Sequence, residues 1–451
     1  MGVVYQPHQI KASNKLVSSP RGGLVYHGLG SGKTLTAIRT AEQYGGAIVI
    51  LPASLADNFR KELKKAGATG RYEIYSYAKY VRNPVPLDGK VVILDEAHRI
   101  RNSSGKTAQS IRDSAKYAKK VIMLTGTPIL NKPYEVASLI NTISGSDTLP
   151  ISEKAFNSEY IGVKKVYPGL IGRLRGISPS EVTYFKNRDQ FQDLTKGMVS
   201  YYGYQDKSLY PSVESHLHKI PMTKDQERVY RDFERQHTNP SIRWKIKNNL
   251  PPDKSEATLV NRFMMTSRQL TNSQKKFTTH VSEDTNPKVS LILKDIKRTG
   301  QPTLVYSNFL GSGIDLLKAG LEENHISYGL VTGRESRDDK TRAVNEYNSG
   351  LIRVLIISTA GSEGLDLKNT RNVHILEPHW NQSKLNQVVG RAARYQSHID
   401  LPEDQRKVKV HTYLSTKRNG GATADTYLHH MSEQKESLNR QFLSALQQQG
   451  V

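Results

Sequence analysis

Gly23-Leu24-Val25-Tyr26-His27-Gly28-Leu29-Gly30-Ser31-Gly32-Lys33-Thr34 decides the fold. Gly23 to His27 reads as a strand, the glycines as a loop, and Lys33 to about Gln43 as a helix by its apolar spacing. Strand, glycine-rich loop and helix in that order are the setting of a phosphate-binding loop. Glycines let backbone N–H groups surround phosphate oxygens, and the helix N-terminus adds a favourable dipole. Gly28, Gly30, Ser31, Gly32 and Lys33 are then nucleotide contacts, with Lys33 reaching the β and γ phosphates of ATP and the Thr34 hydroxyl ligating Mg2+. The strict pattern opens with glycine where this chain has His27, so the match is to the shorter Gly-x-Gly-Lys-Thr form. A plain glycine-rich turn is the competing reading, and the flanking strand and helix argue against it.

About sixty residues on, the apolar run Val91-Val92-Ile93-Leu94 delivers Asp95-Glu96-Ala97-His98 at its C-terminal end, where ligands bind in an open α/β sheet. Asp95 can hold magnesium through water, and Glu96 can orient or deprotonate an attacking water. Further strands are expected at Ala47 to Leu51 and Val121 to Thr125, with helices at Leu55 to Lys65, Lys106 to Ala118 and Tyr134 to Ile143. The alternation returns after Pro287, with strands at Thr303 to Tyr306, Tyr328 to Val331, Val354 to Ile357, Val373 to Leu376 and Val408 to Tyr413, and a long helix after Ala422. The fold class is α/β, with mostly parallel sheets flanked by helices in residues 1–148 and 287–451. Residues 149–286, where Tyr, Lys, Arg, Asn and Pro become frequent, read as a basic accessory insertion of mixed structure.

The 451 residues hold 65 Lys and Arg against 42 Asp and Glu, and a net charge of +23 points to a polyanionic partner. Nucleic acid fits first. No apolar run approaches the roughly 20 residues of a spanning helix, and no secretion or lipidation signal is found, so a cytoplasmic protein with no membrane partner is expected. The absence of cysteine excludes disulfides, thiolate catalysis and cysteine-ligated metal. The His429-His430 pair reads as a solvated helix face rather than a metal site.

Taken in order, the motifs resemble those of superfamily 2 helicases, in the chromatin-remodeller-like (SWI/SNF-type) branch. Tyr5-Gln6-Pro7-His8-Gln9 resembles the adenine-reading glutamine motif, which implies that Gln9 contacts the base. Leu51-Pro52-Ala53-Ser54-Leu55 resembles the motif that grips one DNA strand, and Asp95 to His98 is followed by a remodeller-like Arg99-Ile100-Arg101-Asn102. Leu124-Thr125-Gly126-Thr127-Pro128 resembles the segment that couples hydrolysis to movement. In the second half, Thr303 to Phe309 resembles the family's opening strand, and Thr332-Gly333 its DNA-contacting turn. Ser358-Thr359-Ala360-Gly361 through Gly364-Leu365-Asp366-Leu367 resembles the segment linking DNA backbone to nucleotide, and Gln387 to Arg394 the arginine-finger motif.

The resemblance implies two RecA-like P-loop NTPase lobes. It implies catalysis by Lys33, Asp95, Glu96, Arg391 and Arg394, further nucleotide contacts at Gly364 and Asp366, and magnesium on Thr34 and Asp95. It implies nucleic-acid contacts at Pro52, Ala53, Ser54, Thr125, Thr127, Thr332, Gly333, Ser358 and Thr359. An arginine reaching the γ-phosphate from a second lobe can accelerate phosphoryl transfer by roughly 10³ to 10⁵. Trp244, inside Arg243-Trp244-Lys245-Ile246-Lys247, can stack on an unpaired base, as can Tyr184; a core position is the competing reading for Trp244. Trp380 reads as structural.

Two departures stand out. Remodellers commonly continue the finger motif as Arg-Ile-Gly-Gln, and Arg394-Tyr395-Gln396 lacks the Ile-Gly step. The segment between lobes, with Leu194 to Tyr202, Tyr210-Pro211 and Pro221-Met222-Thr223, is similar to helicase-like proteins of large DNA viruses and phages. The expected function is a monomeric DNA-dependent ATPase that unwinds or branch-migrates forked DNA in viral or phage replication, recombination or repair. A duplex translocase that displaces bound proteins without strand separation, and a binding scaffold with a vestigial nucleotide site, are the competing functions.

Overall fold

Four of the apolar runs in the first part of the chain become the buried middle of one parallel sheet. Its strands are β1 (Gly22–His27), β2 (Gly46–Leu51), β3 (Arg71–Ser76), β4 (Val91–Asp95) and β5 (Lys120–Thr125), joined by a later strand, Val199–Tyr202. The computed structural model describes residues 4–28, 31–167, 169, 174, 179–203, 210–275, 277, 286–359, 365–380, 382–394 and 396–448. A two-stranded sheet, β6 (Ile161–Val166) with β7 (Ser180–Phe185), precedes the strand at Val199, which is therefore β8. The order is β3-β2-β4-β5-β1-β8, all neighbours parallel. Burial on both faces explains why these strands read as continuous Val/Ile/Leu runs.

Charged side chains tie helix ends to this sheet. Lys120, buried at the start of β5, donates to Leu16 O at 3.3 Å, to Val17 O at 2.9 Å and to Ser19 O, closing the C-terminus of helix Pro7–Ser18. Arg21, just before β1, donates to Ala118 O at 2.5 Å, Ala115 O at 2.9 Å and Ile143 O at 3.3 Å, serving the ends of two further helices.

The second sheet holds β9 (Ser212–Pro221), β10 (Thr303–Tyr306), β11 (Tyr328–Val331), β12 (Val354–Ile357), β13 (Asn372–Ile375) and β14 (Lys407–Thr416). Its order is β11-β12-β10-β13-β14-β9, again parallel throughout. Helices Lys224–His237, Pro240–Lys247 and Ala257–Asn272 pack around Tyr230, Phe263 and Met264, with Trp380 partly buried against them. Polar groups are buried here as matched sets. Lys288 Nζ lies 2.9 Å from Asp425 Oδ2, while Glu377 accepts from Ser307 Oγ at 2.9 Å, Asn272 Nδ2 at 3.1 Å and the Asn308 amide.

The chain divides into two compact units, Met1–Val163 with Thr183–Gln205 and Lys435–Val451, and Lys164–Val182 with Asp206–Gln434. The stretch 149–286, expected as an insertion, is shared between them. Its β8 is an edge strand beside β1 and its β9 an edge strand beside β14; helices Glu153–Tyr160 and Arg188–Thr195 belong to the first unit, and Lys224–His237, Pro240–Lys247 and Ala257–Asn272 to the second. Among the described residues no helix is long and apolar enough to cross a membrane.

Candidate active site

Because β4, β5 and β1 are adjacent and parallel, their C-terminal ends carry the carboxylates, the Thr125 turn and the phosphate loop to one edge of the first sheet. Gly32 takes a left-handed conformation, φ +75°, and hands the chain to helix Lys33–Glu42. The left-handed φ favours glycine here, and a Cβ at Gly32 would stand 2.0 Å from Gln9 Nε2, displacing the end of that side chain. Lys33, first in the helix, folds over the loop and donates from Nζ to Gly28 O at 3.0 Å and His27 O at 3.1 Å. Burial lowers the pKa of its ammonium, opposed by the negative charges of Glu96 and Asp95. Thr34 follows in the same turn. Ser31 donates from Oγ to Gly28 O at 2.8 Å; Gly30 lies outside the described residues.

Gln9 is buried and holds the loop from the opposite side. Its Oε1 accepts from Gln6 N at 2.9 Å, completing a capping box, and its Nε2 donates to Ser31 O at 3.2 Å. His8 donates to the same carbonyl from Nε2 at 2.8 Å and lies flat on Tyr202, ring centroids 3.8 Å apart at 6°. His27, the departure from the strict glycine pattern, is the last residue of β1, its ring buried with Nε2 3.0 Å from Ser200 Oγ. Burial, then His8 and Lys33, push its pKa down to about 3, so it stays neutral beside the loop. His8 and Tyr202 were not singled out in the sequence as a pair. They are 194 positions apart, and no periodicity links them.

Asp95 ends β4, its carbonyl accepting from Tyr77 OH at 2.8 Å and its Oδ1 from Glu96 N at 2.9 Å. Glu96 adopts φ +51°, unusual for a residue with a Cβ, which turns its carboxylate away from the strand direction. The two acids are driven apart electrostatically. Burial and then the Glu96 charge push Asp95 up to about 6. Burial acts on Glu96 in the same direction, but the His98 hydrogen bond and the charges of His98, Lys33 and Arg99 outweigh it and leave its pKa lowered. His98 Nδ1 is 3.2 Å from Glu96 Oε2 and 3.3 Å from Thr125 Oγ1, and that hydroxyl accepts from Thr127 N at 3.1 Å. Beyond the turn, buried Glu135 accepts the amides of Leu130 at 2.8 Å and Asn131 at 2.9 Å.

The expected nucleic-acid contacts divide by exposure. Ala53, Ser54, Thr127 and Gly333 are exposed. Pro52, Thr125, Thr332 and Ser358 are buried, which narrows the side chains able to touch a strand directly. Thr332 Oγ1 instead accepts from Arg334 N at 3.1 Å, bracing its turn. Thr359 Oγ1 is 2.8 Å from Tyr306 OH and 2.9 Å from Asn308 Oδ1. Trp244 is half-buried on helix Pro240–Lys247. In the second unit, Arg391 lies in the last turn of helix Gln382–Ala392, and Arg394 donates to Asp366 Oδ1 at 3.2 Å and Leu365 O at 3.1 Å. Gly364 lies outside the described residues. Gln396, where the remodeller pattern has glycine, takes φ +58°.

Two parallel α/β sheets, one ending in a phosphate loop beside paired carboxylates, define an ATP-hydrolysing enzyme of the two-lobe RecA-like class. The chain belongs to the SNF2-related helicase family. Residues 69–276 match the model of the SNF2-related domain and residues 287–396 that of the helicase conserved C-terminal domain. A protein of Acanthamoeba polyphaga mimivirus, provisionally named an ATP-dependent RNA helicase, is 35% identical over 451 positions, covering 97% of this chain and 95% of its own length. The termination factor NPH-I homologue of African swine fever virus is 25% identical, covering 96% of this chain and 76% of that protein. The Sulfolobus solfataricus SWI2/SNF2 ATPase core in complex with dsDNA is similar at a TM-score of 0.40 and 16% identity, covering 92% of this chain and 89% of that one.

Proposed function

We propose that the chain is a DNA-dependent ATPase that travels along DNA and unwinds or branch-migrates forks in the replication, recombination or repair of a large DNA virus. The observation that carries this reading is the junction of three adjacent strand ends: Lys33 and the loop at β1, Asp95 and Glu96 at β4, and Thr125 at β5, joined through His98. A carboxylate that orients water is thereby wired to a turn whose exposed residue, Thr127, faces outward.

Lys33 exchanges its two loop carbonyls for the β and γ phosphates, and Glu96, held ionised, orients the attacking water. The Asp95 carboxylate and Thr34 hydroxyl are the hard oxygen donors that suit magnesium. Magnesium, when bound, neutralises charge across the β and γ phosphates. Gln9 reads the base while keeping the loop in place, and Asp366 is a further nucleotide contact. Arg391 and Arg394 serve as the fingers. DNA is preferred to RNA as the track because the Asp95–Asn102 segment and the SNF2-related match follow the remodeller pattern. Relatives named as RNA helicases make RNA the comparison to run.

Strand displacement on a fork with ATP tests the proposal. Protein that fails there yet displaces a triplex-forming strand from duplex DNA is instead a translocase, the second reading, which the termination-factor name of one relative favours. Retention of every activity by Lys33→Ala would leave a scaffold with a vestigial site.

A further inference from the structure

Outside the nucleotide loop and the helicase motifs, and beside the Arg243–Lys247 segment that carries Trp244, helix Lys224–His237 carries Lys224, Arg228, Arg231 and Arg235 at spacings of four, three and four. That spacing makes one stripe, about 16 Å long, on a single helix face. Two clefts of about 430 Å³ each adjoin along it, sharing Arg231, Arg235 and Asn419. The first also takes in Lys224, Arg228 and Arg418, the second Arg243, Lys247 and Lys417. The combined lining holds eight cationic side chains against three anionic ones, Glu227, Asp232 and Glu234.

Two of those three acids are consumed beneath the groove. The Glu227 side chain, 8% exposed, accepts from Arg231 and, at 2.8 Å, from the Arg418 backbone amide. Glu234, 10% exposed, takes Lys417 Nζ at 2.8 Å. Arg228 and Arg235 stand 62% and 70% exposed, in i,i+3 pairs with Asp225 at 3.5 Å and Asp232 at 3.8 Å. Such pairs are water-screened and readily displaced by a stronger anion. Guanidinium forks match phosphate oxygens, and Ile246 and Ala422 are the only apolar side chains among the lining residues of the two clefts. The groove is built on the second unit alone, from the helix pair and the turn Lys417–Gly421 after β14.

We infer that this groove is a second nucleic-acid site that holds a phosphodiester backbone without reading bases. The inference stands independently of the motor reading.

The test uses the full chain and labelled 20-nucleotide single-stranded DNA, single-stranded RNA and duplex DNA, with anisotropy measured across a salt series without ATP. Arg228→Ala/Arg235→Ala/Arg418→Ala is expected to weaken single-strand binding at least tenfold. The slope of log affinity against log salt should become shallower by about 2, from roughly 0.7 per lost phosphate contact. The corresponding triple lysine variant keeps the slope, and ATP hydrolysis without nucleic acid and the thermal midpoint stay unchanged in both. Equal losses on DNA and RNA assign the shared backbone, and a loss confined to one polymer names it. Unchanged affinity and slope on every nucleic acid, or a loss seen only with polyglutamate as competitor, overturns the inference. Loss of single-strand affinity in the variant, with no DNA stimulation of hydrolysis in the parent, would sink the motor and leave the groove standing.

Discussion

The Nδ1 of His98 lies 3.3 Å from the Thr125 hydroxyl oxygen while also standing 3.2 Å from Glu96 Oε2. One ring nitrogen carries at most one proton, so Nδ1 can donate to the carboxylate or accept from the hydroxyl, but not both. The link is a two-position contact between the water-orienting acid and the turn at the end of β5. Thr125→Val is expected to lower stimulated ATP turnover about fivefold to tenfold, the worth of roughly one hydrogen bond. Strand displacement should fall further than hydrolysis. Steady-state kinetics beside a displacement assay decide it, and equal losses in both would remove the coupling role.

Gly32 and Gln9 should behave as a coupled pair. Gly32→Ala places a methyl 2.0 Å from Gln9 Nε2 at φ +75°, so nucleotide affinity and thermal midpoint should both drop. Adding Gln9→Ala removes the clash but not the backbone strain, and partial recovery is expected in a double-mutant cycle. Strict additivity by calorimetry would show that the two residues do not constrain each other.

Gln396 occupies a left-handed position, φ +58°, where the family pattern places glycine. A side chain there costs on the order of 1 kcal/mol. Gln396→Gly is therefore expected to stabilise the protein by about that amount, read as a higher denaturant midpoint. An unchanged or lower midpoint would mean that the Gln396 side chain repays the strain through its own contacts.

A ladder of imidazoles crosses three strands of the second sheet. His374, His411 and His216 are in register on β13, β14 and β9, and His218 Nε2 lies 2.9 Å from His411 Nδ1. Burial, then the neighbouring His411, hold His374 down to about 3, with Asp295, 3.5 Å away, acting in the opposite direction. His411 is lowered to about 4, again by burial first. The unfolded chain takes up these protons near pH 6.5 and the folded sheet does not, so stability is complete above about pH 6.5 and falls as the medium is acidified towards 4. Fully buried His374 alone contributes a slope of up to about 1.4 kcal/mol per pH unit. Urea midpoints at pH 7.5 and pH 5 should differ, and His411→Gln should narrow the gap. Parallel curves for parent and variant would contradict this.

Central strands and the phosphate loop were readable because their signals are contiguous. Val91 to Leu94 and Val354 to Ile357 are fully apolar runs, and the loop announces itself within seven residues. Of the four edge strands, only β11, Tyr328–Val331, was readable; β3, β8 and β9 were not. Ser212–Pro221 is mostly exposed and polar, and its place beside β14 is set by backbone pairing over ten residues, which leaves no hydrophobic alternation. β8 has four residues and β3 is only partly buried. In the site, residue identities were legible and partners were not. Nothing local in the sequence says that Gln9 holds Ser31 O or that His8 lies on Tyr202.

The central claim is that hydrolysis at Lys33 and Glu96 is driven by contact with DNA. The most direct measurement is ATP turnover with magnesium in the presence of no polymer, forked DNA, duplex DNA and single-stranded RNA, for the parent chain and Lys33→Ala. Stimulation of at least tenfold by forked or duplex DNA, exceeding that by RNA and abolished in Lys33→Ala, is the expected result. Turnover that is indifferent to DNA, or that survives loss of Lys33, would contradict the account.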